Sequence, residues 1–393
     1  MTVRTDVAGA TSYVLQEALS AYTDEAYTNA KKLSGTGIVG GDARIDPSTE
    51  TYAGQMRWNK PINPTINVAS LETSTDGTTS SYTTEYLAYI KSVRTHGAER
   101  VNMQQVVTQV DGLAKIARDF GETRSQDEHN AILSILKGVA ISEALNGAAT
   151  GSGETGLGGQ TFDNDPNDDK YGFYVDLGAA KPIIDATAAI QGAARAQGFL
   201  DAFGKAYKDY EPEYAYLVTS PEIMASLRAA NLVDADRVRD GSIDFNTIFQ
   251  GKFRLIQTRA AQGMSTAELT KINTGAGVDI VGTKTSFLVL PGALAMSPLA
   301  VPEPLEIDRA AAAYLGGGTT QIWYRWGYVM HPAGYNWAGS QNKFASDAEY
   351  KYAVEDGTPV ALTGVTTIAD ATGTWVRKST SALSLGILPI FHS

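Results

Sequence analysis

Residues 102–147 read as helical, because their apolar residues recur at a spacing that lines up on one face of an α-helix. Val106, Val110, Leu113, Ala117 and Phe120 form a first stripe. Ile132, Leu133, Ile135, Leu136, Val139, Ala140, Ala144 and Leu145 continue it. Gly112 and Gly121 either break this stretch into segments or are carried inside one helix. An unbroken helix would run about 34 residues, or ~50 Å at 1.5 Å per residue. That length outruns an ordinary compact core. Ser125 followed by Glu128 fits a capping box, and Asn146-Gly147 supplies a stop, because either residue tolerates a left-handed cap.

What precedes this stretch buries itself poorly. Tyr13, Val14, Ala18, Ala21 and Tyr22 recur at helical spacing, and a glycine-rich piece then runs from Gly35 to Gly41 and on to Asp46-Pro47. One short helix followed by glycines is either loose or docked on something. Thr65-Ile66-Asn67-Val68 alternates as a half-buried strand does. Thr73 to Ser81 is nearly all Thr and Ser around Asp76-Gly77, a strong hairpin-tip signal, and Tyr82 to Arg94 reads as the return strand. A two-stranded hairpin is marginal alone in water, so a long one suggests a docking partner.

Composition narrows the classes of function. The chain has 393 residues, 43% of them apolar and 19% charged, with a net charge of −11. That is enough apolar surface for a substantial core and excludes a disordered protein. The carboxylate surplus, with no run of five Lys or Arg, argues against a dedicated nucleic-acid reader. The absence of cysteine removes disulfides, thiolate metal sites and Cys nucleophiles together. The histidines, His96, His129, His331 and His392, are scattered. No apolar run reaches signal-peptide or membrane-spanning length, so the reading is a soluble chain used without secretion.

Beyond the helix lies a loop with six glycines between 147 and 159 and an acidic run from Asp163 to Asp169. From 171 to 300 helices and short strands mix. Lys181-Pro182 opens a helix. Tyr214 to Thr219 is a short strand, and Ser220-Pro221 caps the next helix. Lys252 to Thr258 and Ser286 to Leu290 read as strands. The irregular order indicates an α+β fold. Trp323, Tyr324, Trp326, Tyr328, Tyr335 and Trp337 form the densest aromatic run, and an apolar strand from Ala382 to Phe391 closes the chain.

No motif carries chemistry convincingly. Gly151-Ser152-Gly153-Glu154-Thr155-Gly156 matches a dinucleotide fingerprint, but a helix precedes it where a strand is needed. Gly282-Thr283-Lys284-Thr285 has the wrong order for a phosphate loop. Ser134-Ile135-Leu136-Lys137 fits an acyl-transferase pair without its partner motifs. Asp163, Asp165 and Asn167 have calcium-loop spacing, but Asp168 stands where the turn glycine belongs and Tyr174 where the bidentate Glu belongs. The aromatic run reads as core and interface packing. A sugar platform would also need two placed carboxylates, and nothing marks Glu306 and Asp308 for that role. The expectation is no enzyme, and no catalytic, cofactor or metal residue.

The order of parts is more informative. A docking arm, a long hairpin, a long helix, a mixed α+β region and an aromatic-rich closing strand resemble the major capsid proteins of tailed bacteriophages, with the Hong Kong 97 fold. The phrase from Arg325 through His331-Pro332-Ala333-Gly334-Tyr335-Asn336-Trp337 is similar to a His-Pro-x-Gly-aromatic-x-Trp strand of such coat proteins. Trp375-Val376-Arg377-Lys378 with the terminal strand resembles their C-terminal end, and Leu113 to Val139 their spine helix. The resemblance implies an N-terminal arm over 1–48, an extended hairpin loop over 49–97 and a peripheral domain with the spine helix over 98–170. It places an axial domain at 171–300, return strands of the peripheral domain at 301–345 and a C-terminal axial part at 346–393.

It also implies self-assembly of many copies, as pentamers and hexamers, into an icosahedral head built in the bacterial host cytoplasm. The head would enclose double-stranded DNA without sequence-specific contacts. Other partners would be a portal, decoration proteins and, since the arm begins almost at Met1, a separate scaffolding protein. An encapsulin-type compartment with the same fold and a carbohydrate-active enzyme are the alternatives.

Overall fold

The structure, a computed structural model, describes residues 19–31, 33–59, 84–101, 112–148, 175–176, 203, 212–229, 231–240, 243–258, 284–310, 319–351, 354–355, 358–359, 374–378 and 385–392. Helix α1 covers 19–30, and α2, α3 and α4 are Gly112–Ala148, Pro221–Ala229 and Asp347–Lys351. Strands are numbered in chain order. One sheet runs β1 (Val39–Gly41), β10 (Leu294–Pro298), β12 (Thr319–Pro332), β3 (Thr84–Val101), β2 (Ala53–Asn59), with β11 (Leu305–Ala310) also on β12. The other runs β4 (Val175–Asp176), β17 (Ile387–His392), β9 (Lys284–Val289), β5 (Ala215–Thr219), β8 (Phe253–Gln257), β7 (Ile243–Ile248), β6 (Val233–Asp240). Two short ladders pair β13 (Tyr335–Trp337) with β16 (Trp375–Arg377) and β14 (Val354–Glu355) with β15 (Thr358–Pro359). Parallel pairs (β1 with β10, β4 with β17, β5 with β8) sit among antiparallel ones, so the fold is mixed α+β.

Helix α2 is continuous over 37 residues. Gly121 does not break it; helix α1 crosses there. A Cβ on Gly121 would lie 2.5 Å from the Tyr27 nitrogen and 2.7 Å from Ala26 Cβ, so the position needs glycine for close approach. Two local expectations are corrected. Ser125 and Glu128 lie inside α2, and the Ser125 hydroxyl donates to the carbonyl of Ala30 in α1 (2.7 Å) instead of capping its own helix. The helix also runs through Asn146-Gly147 to Ala148. In α1 the buried positions are Leu19, Thr23 and Tyr27, one per turn, whereas Ala21 and Tyr22 face outward. The expected stripe therefore sat on the wrong side of the helix, and its members 13, 14 and 18 lie outside the described residues.

The glycine-rich piece that follows is docked. Leu33 is buried, the Gly292 N–H donates to the Gly37 carbonyl (2.8 Å) and β1 pairs with β10. Strand β3 is longer than expected, 18 residues, because it serves two neighbours. Its first part pairs with β2 from Thr84 to Ile90, and its second pairs with β12 from Lys91 to Val101. The proposed tip at Asp76-Gly77, the strand at 65–68 and the helix at 181–182 lie outside the described residues. Strands expected at 214–219, 252–258, 286–290 and 382–391 appear as β5, β8, β9 and β17. Pro221 opens α3 as expected and the Ser220 carbonyl accepts the Met224 N–H, but the buried Ser220 hydroxyl makes no capping bond among the described residues.

Gly121→Ala tests the crossing. Helix propensity alone favours alanine by ~1 kcal/mol, but the added methyl meets the α1 backbone, and overpacking of this kind costs ~1–3 kcal/mol. The expected result is a lower melting temperature together with faster limited proteolysis within 19–41. Unchanged protection of that segment would show that α1 does not depend on the notch.

Candidate functional site

The residues weighed for chemistry do not converge. Ser134 is buried within α2, and Lys137 one turn on is half-buried. The glycine motif at 151–156, the acidic positions 163, 165 and 167, and Gly282-Thr283 lie outside the described residues. His96 packs edge-on against Phe120, His129 meets the Thr258 hydroxyl (3.1 Å), and His331 Nε2 lies 2.8 Å from the Tyr335 carbonyl. Among the described residues no three His, Asp or Glu side chains gather as they would around a metal ion. The aromatic run is divided by strand alternation. Tyr324, Trp326 and Tyr328 turn to the buried face of β12, and Trp323 turns to the other. Trp323 and Trp326 thus do not form one platform, and Glu306 and Asp308 are exposed on β11.

What the structure does bring together is a set of polar joints that tie distant segments to α2. In the first, the Tyr27 hydroxyl lies 2.8 and 2.7 Å from the two Glu128 oxygens. Arg124 stacks on the Tyr27 ring at 4.0 Å and donates to the Tyr324 hydroxyl (3.0 Å) and to Glu128 (3.3 Å). Burial, then the neighbouring Glu128 carboxylate, pushes the Tyr27 phenol well above its ordinary pKa, so it stays a donor. Helices α1 and α2 and strand β12 meet at this joint.

In the second, Asp127 accepts from Trp326 Nε1 (2.9 Å), the Tyr328 hydroxyl (3.0 Å) and Arg94 Nε (3.3 Å). Arg94 continues to Asp347 (2.9 Å) and to the Ala345 carbonyl (2.8 Å). Burial works against the Arg94 charge, but Tyr328, Asp127 and Asp347 together hold its pKa above the ordinary value. Burial pushes the Asp347 carboxyl upward while Arg94 pulls it down.

The third joint lies where the antiparallel β2–β3 pair meets the preceding loop, and had no sequence signal. Lys91 is fully buried, and its ammonium donates to the Ser48 carbonyl (2.7 Å), Asp46 (3.0 Å) and the Thr51 hydroxyl (3.1 Å). The Ser48 hydroxyl and N–H, and then Lys91, bring the Asp46 carboxyl down to about 2.

The fourth is an aromatic knot. Trp375 contacts Trp337 and His331 edge-on, at ring-centre distances of 5.1 and 5.5 Å, and stacks parallel to Tyr350. Trp375 Nε1 donates to the Tyr350 carbonyl (3.0 Å) where Gly138 of α2 leaves room for both. Burial lowers the His331 pKa to about 4. These arrangements position segments. None pairs a nucleophile with a base.

No family model matches the chain, and no curated protein matches it. Solved structures are similar to it at low identity. The capsid of Ralstonia phage GP4 is 12% identical, with 80% of this chain and 89% of that chain covered and a TM-score of 0.44. The Cyanophage Pam1 capsid asymmetric unit is 11% identical, with 78% and 87% covered and a TM-score of 0.42. The head of Helicobacter pylori bacteriophage KHP40 is 9% identical, with 93% and 91% covered and a TM-score of 0.43.

Two outcomes are expected at these joints. Asp127→Ala orphans two buried donors and half of the Arg94 pairing, and should cost about 3 kcal/mol in urea unfolding. His331 gives an acid limb. The unfolded imidazole takes up a proton as pH falls through its ordinary 6.5, while the folded one stays neutral down to about 4. Stability is thus full above pH 6.5 and declines below it, by up to about 3 kcal/mol across the window. In His331→Phe the slope of that limb should shrink by one proton. An identical limb in the variant would place the titration elsewhere.

Proposed function

We propose that this chain is the major capsid protein of a tailed double-stranded DNA phage, a structural protein that assembles in many copies into an icosahedral head. One observation carries the reading. Among the described residues, the large apolar side chains left exposed are Tyr22, Tyr52, Tyr86 and Trp323, at 58%, 46%, 64% and 40% exposure. Tyr22 lies on the arm helix, Tyr52 and Tyr86 on the hairpin, and Trp323 on the outer face of β12. All are aromatic, the residue class that anchors protein interfaces. The arm and the hairpin, which leave Tyr22, Tyr52 and Tyr86 in solvent, are elements that other copies cover.

In this reading 1–48 is the arm, 49–97 the extended hairpin loop and α2 the spine of a peripheral domain spanning 98–170 with return strands at 301–345. The axial domain is 171–300 with 346–393. Pentamers and hexamers form in the host cytoplasm with a separate scaffolding protein and a portal, and decoration proteins join the finished virion. The net charge of −11 gives packaged DNA no strong hold, in keeping with a container that fills and empties.

Electron microscopy of the purified chain, expressed alone and with the neighbouring genes of its source, tests the reading. Closed shells tens of nanometres across are the expected result. A monodisperse small particle in every preparation would overturn it. Tyr86→Lys should cut shell yield by at least about tenfold while leaving the melting temperature of the unassembled chain within ~1 °C, because an exposed position contributes within ~0.5 kcal/mol to folding.

A further inference from the structure

The outer face of the first sheet is unlike the other surfaces of the described chain. Cross-strand pairing puts Gly97, Trp323 and Glu306 side by side, Glu99, Gln321 and Asp308 in the next row, and Thr95 and Arg325 beyond. Of the five tryptophans only Trp323 is exposed. It is also built to be exposed. A Cβ on Gly97 would come within 2.6 Å of the indole, so the missing side chain lets the ring lie against β3 with its other side open. Glu99, Glu306 and Asp308 stand exposed around it. Arg325 bonds Glu306 at 2.6 Å, which leaves the face net negative.

A solvated sheet face needs charge but not a tryptophan, since exposing an indole forgoes the stabilisation that burying a large apolar side chain returns. An open aromatic face in a negative field is the arrangement that takes up a guanidinium or ammonium. The same charges repel nucleic acid and the acidic surface of a second copy. We propose that the β3–β12–β11 face, centred on Trp323, is a docking surface for a Lys- or Arg-bearing segment of a different protein. The inference stands on this face alone and does not require the capsid reading.

Fluorescein-labelled octa-arginine serves as the probe, titrated against the purified full chain at about 0.15 M salt, where exposed charges more than ~8 Å apart are screened. Trp323→Thr keeps a strand-favouring residue, and its melting temperature is recorded alongside. Glu306→Gln with Asp308→Asn removes charge but keeps the ring. Glu25→Gln with Glu122→Gln removes the same charge from the distant α1–α2 groove. The proposal expects saturable binding that weakens about tenfold in the first two variants and stays unchanged in the third. Equal weakening in all three would reduce the effect to net charge. Unaltered binding by a folded Trp323→Thr, or no binding by the parent chain, would also overturn the proposal. Loss of self-association in Trp323→Thr would assign the face to contacts between copies instead.

Discussion

Residues 131 to 143 of α2 are buried on every side but one. Only Lys137 is part-exposed. A helix surrounded in this way cannot be amphipathic in the ordinary sense, and everything around it has to be arranged to cover it. Both sheets contribute, with Ile322 and Tyr328 of β12 and Ile387 and Phe391 of β17 in the same apolar core. The first part of the helix, from Gly112, has less cover of its own. There Arg118 and Glu122 face solvent as an i,i+4 pair, and α1 supplies the rest. The gradient along one helix, from fully enclosed to half-covered, sets the layout. The enclosed end joins the two sheets, and the other end seats α1.

Covering so much helix brings polar groups inside, and several are met by groups from far along the chain. Glu128 and Glu143 have no exposed side-chain surface, and they face Arg124 and Tyr27 in one case and Arg377 in the other. Breaking such a pair strands a charge, at about 3–5 kcal/mol, whereas the intact pair adds little net stability against an apolar substitute. The joints are therefore better understood as specifying register. Lys91 shows this most directly. Its ammonium ends among Asp46, Ser48 and Thr51, so the strand can sit at one position against the preceding loop and at no other.

The helix was legible because its apolar spacing is a local property, and so were β5, β8, β9 and β17, short apolar runs bounded by turns. The Ser125–Glu128 pattern misled because a capping box is also local. The partners that claim those side chains are Ala30 and Tyr27, 95 and 101 positions away. No window on the sequence contains that information. Gly121 was ambiguous for the same reason: breaking a helix and admitting a crossing helix demand the same residue. The buried Lys91 was invisible, since a lysine in a Tyr-, Ile- and Val-rich strand ordinarily points to water. The division of the aromatic run was written in its alternation, but which half faced the core depended on where α2 lies.

That division bears on what the surface is for. Had the aromatics of β12 served only packing, alternation would have left the outward positions polar, as Gln321 and Arg325 are. Trp323 departs from the pattern, and the departure is supported from the neighbouring strand by a glycine that costs β3 some intrinsic stability. Two residues on different strands, each unfavourable alone, make sense together only as a prepared surface. Tyr22 on α1 and Tyr86 on β3 make the same point elsewhere, exposed on elements that buried joints secure from below. Rigid support beneath an exposed aromatic lowers the ordering cost of a contact, so the interior of this chain is arranged in the service of its exterior.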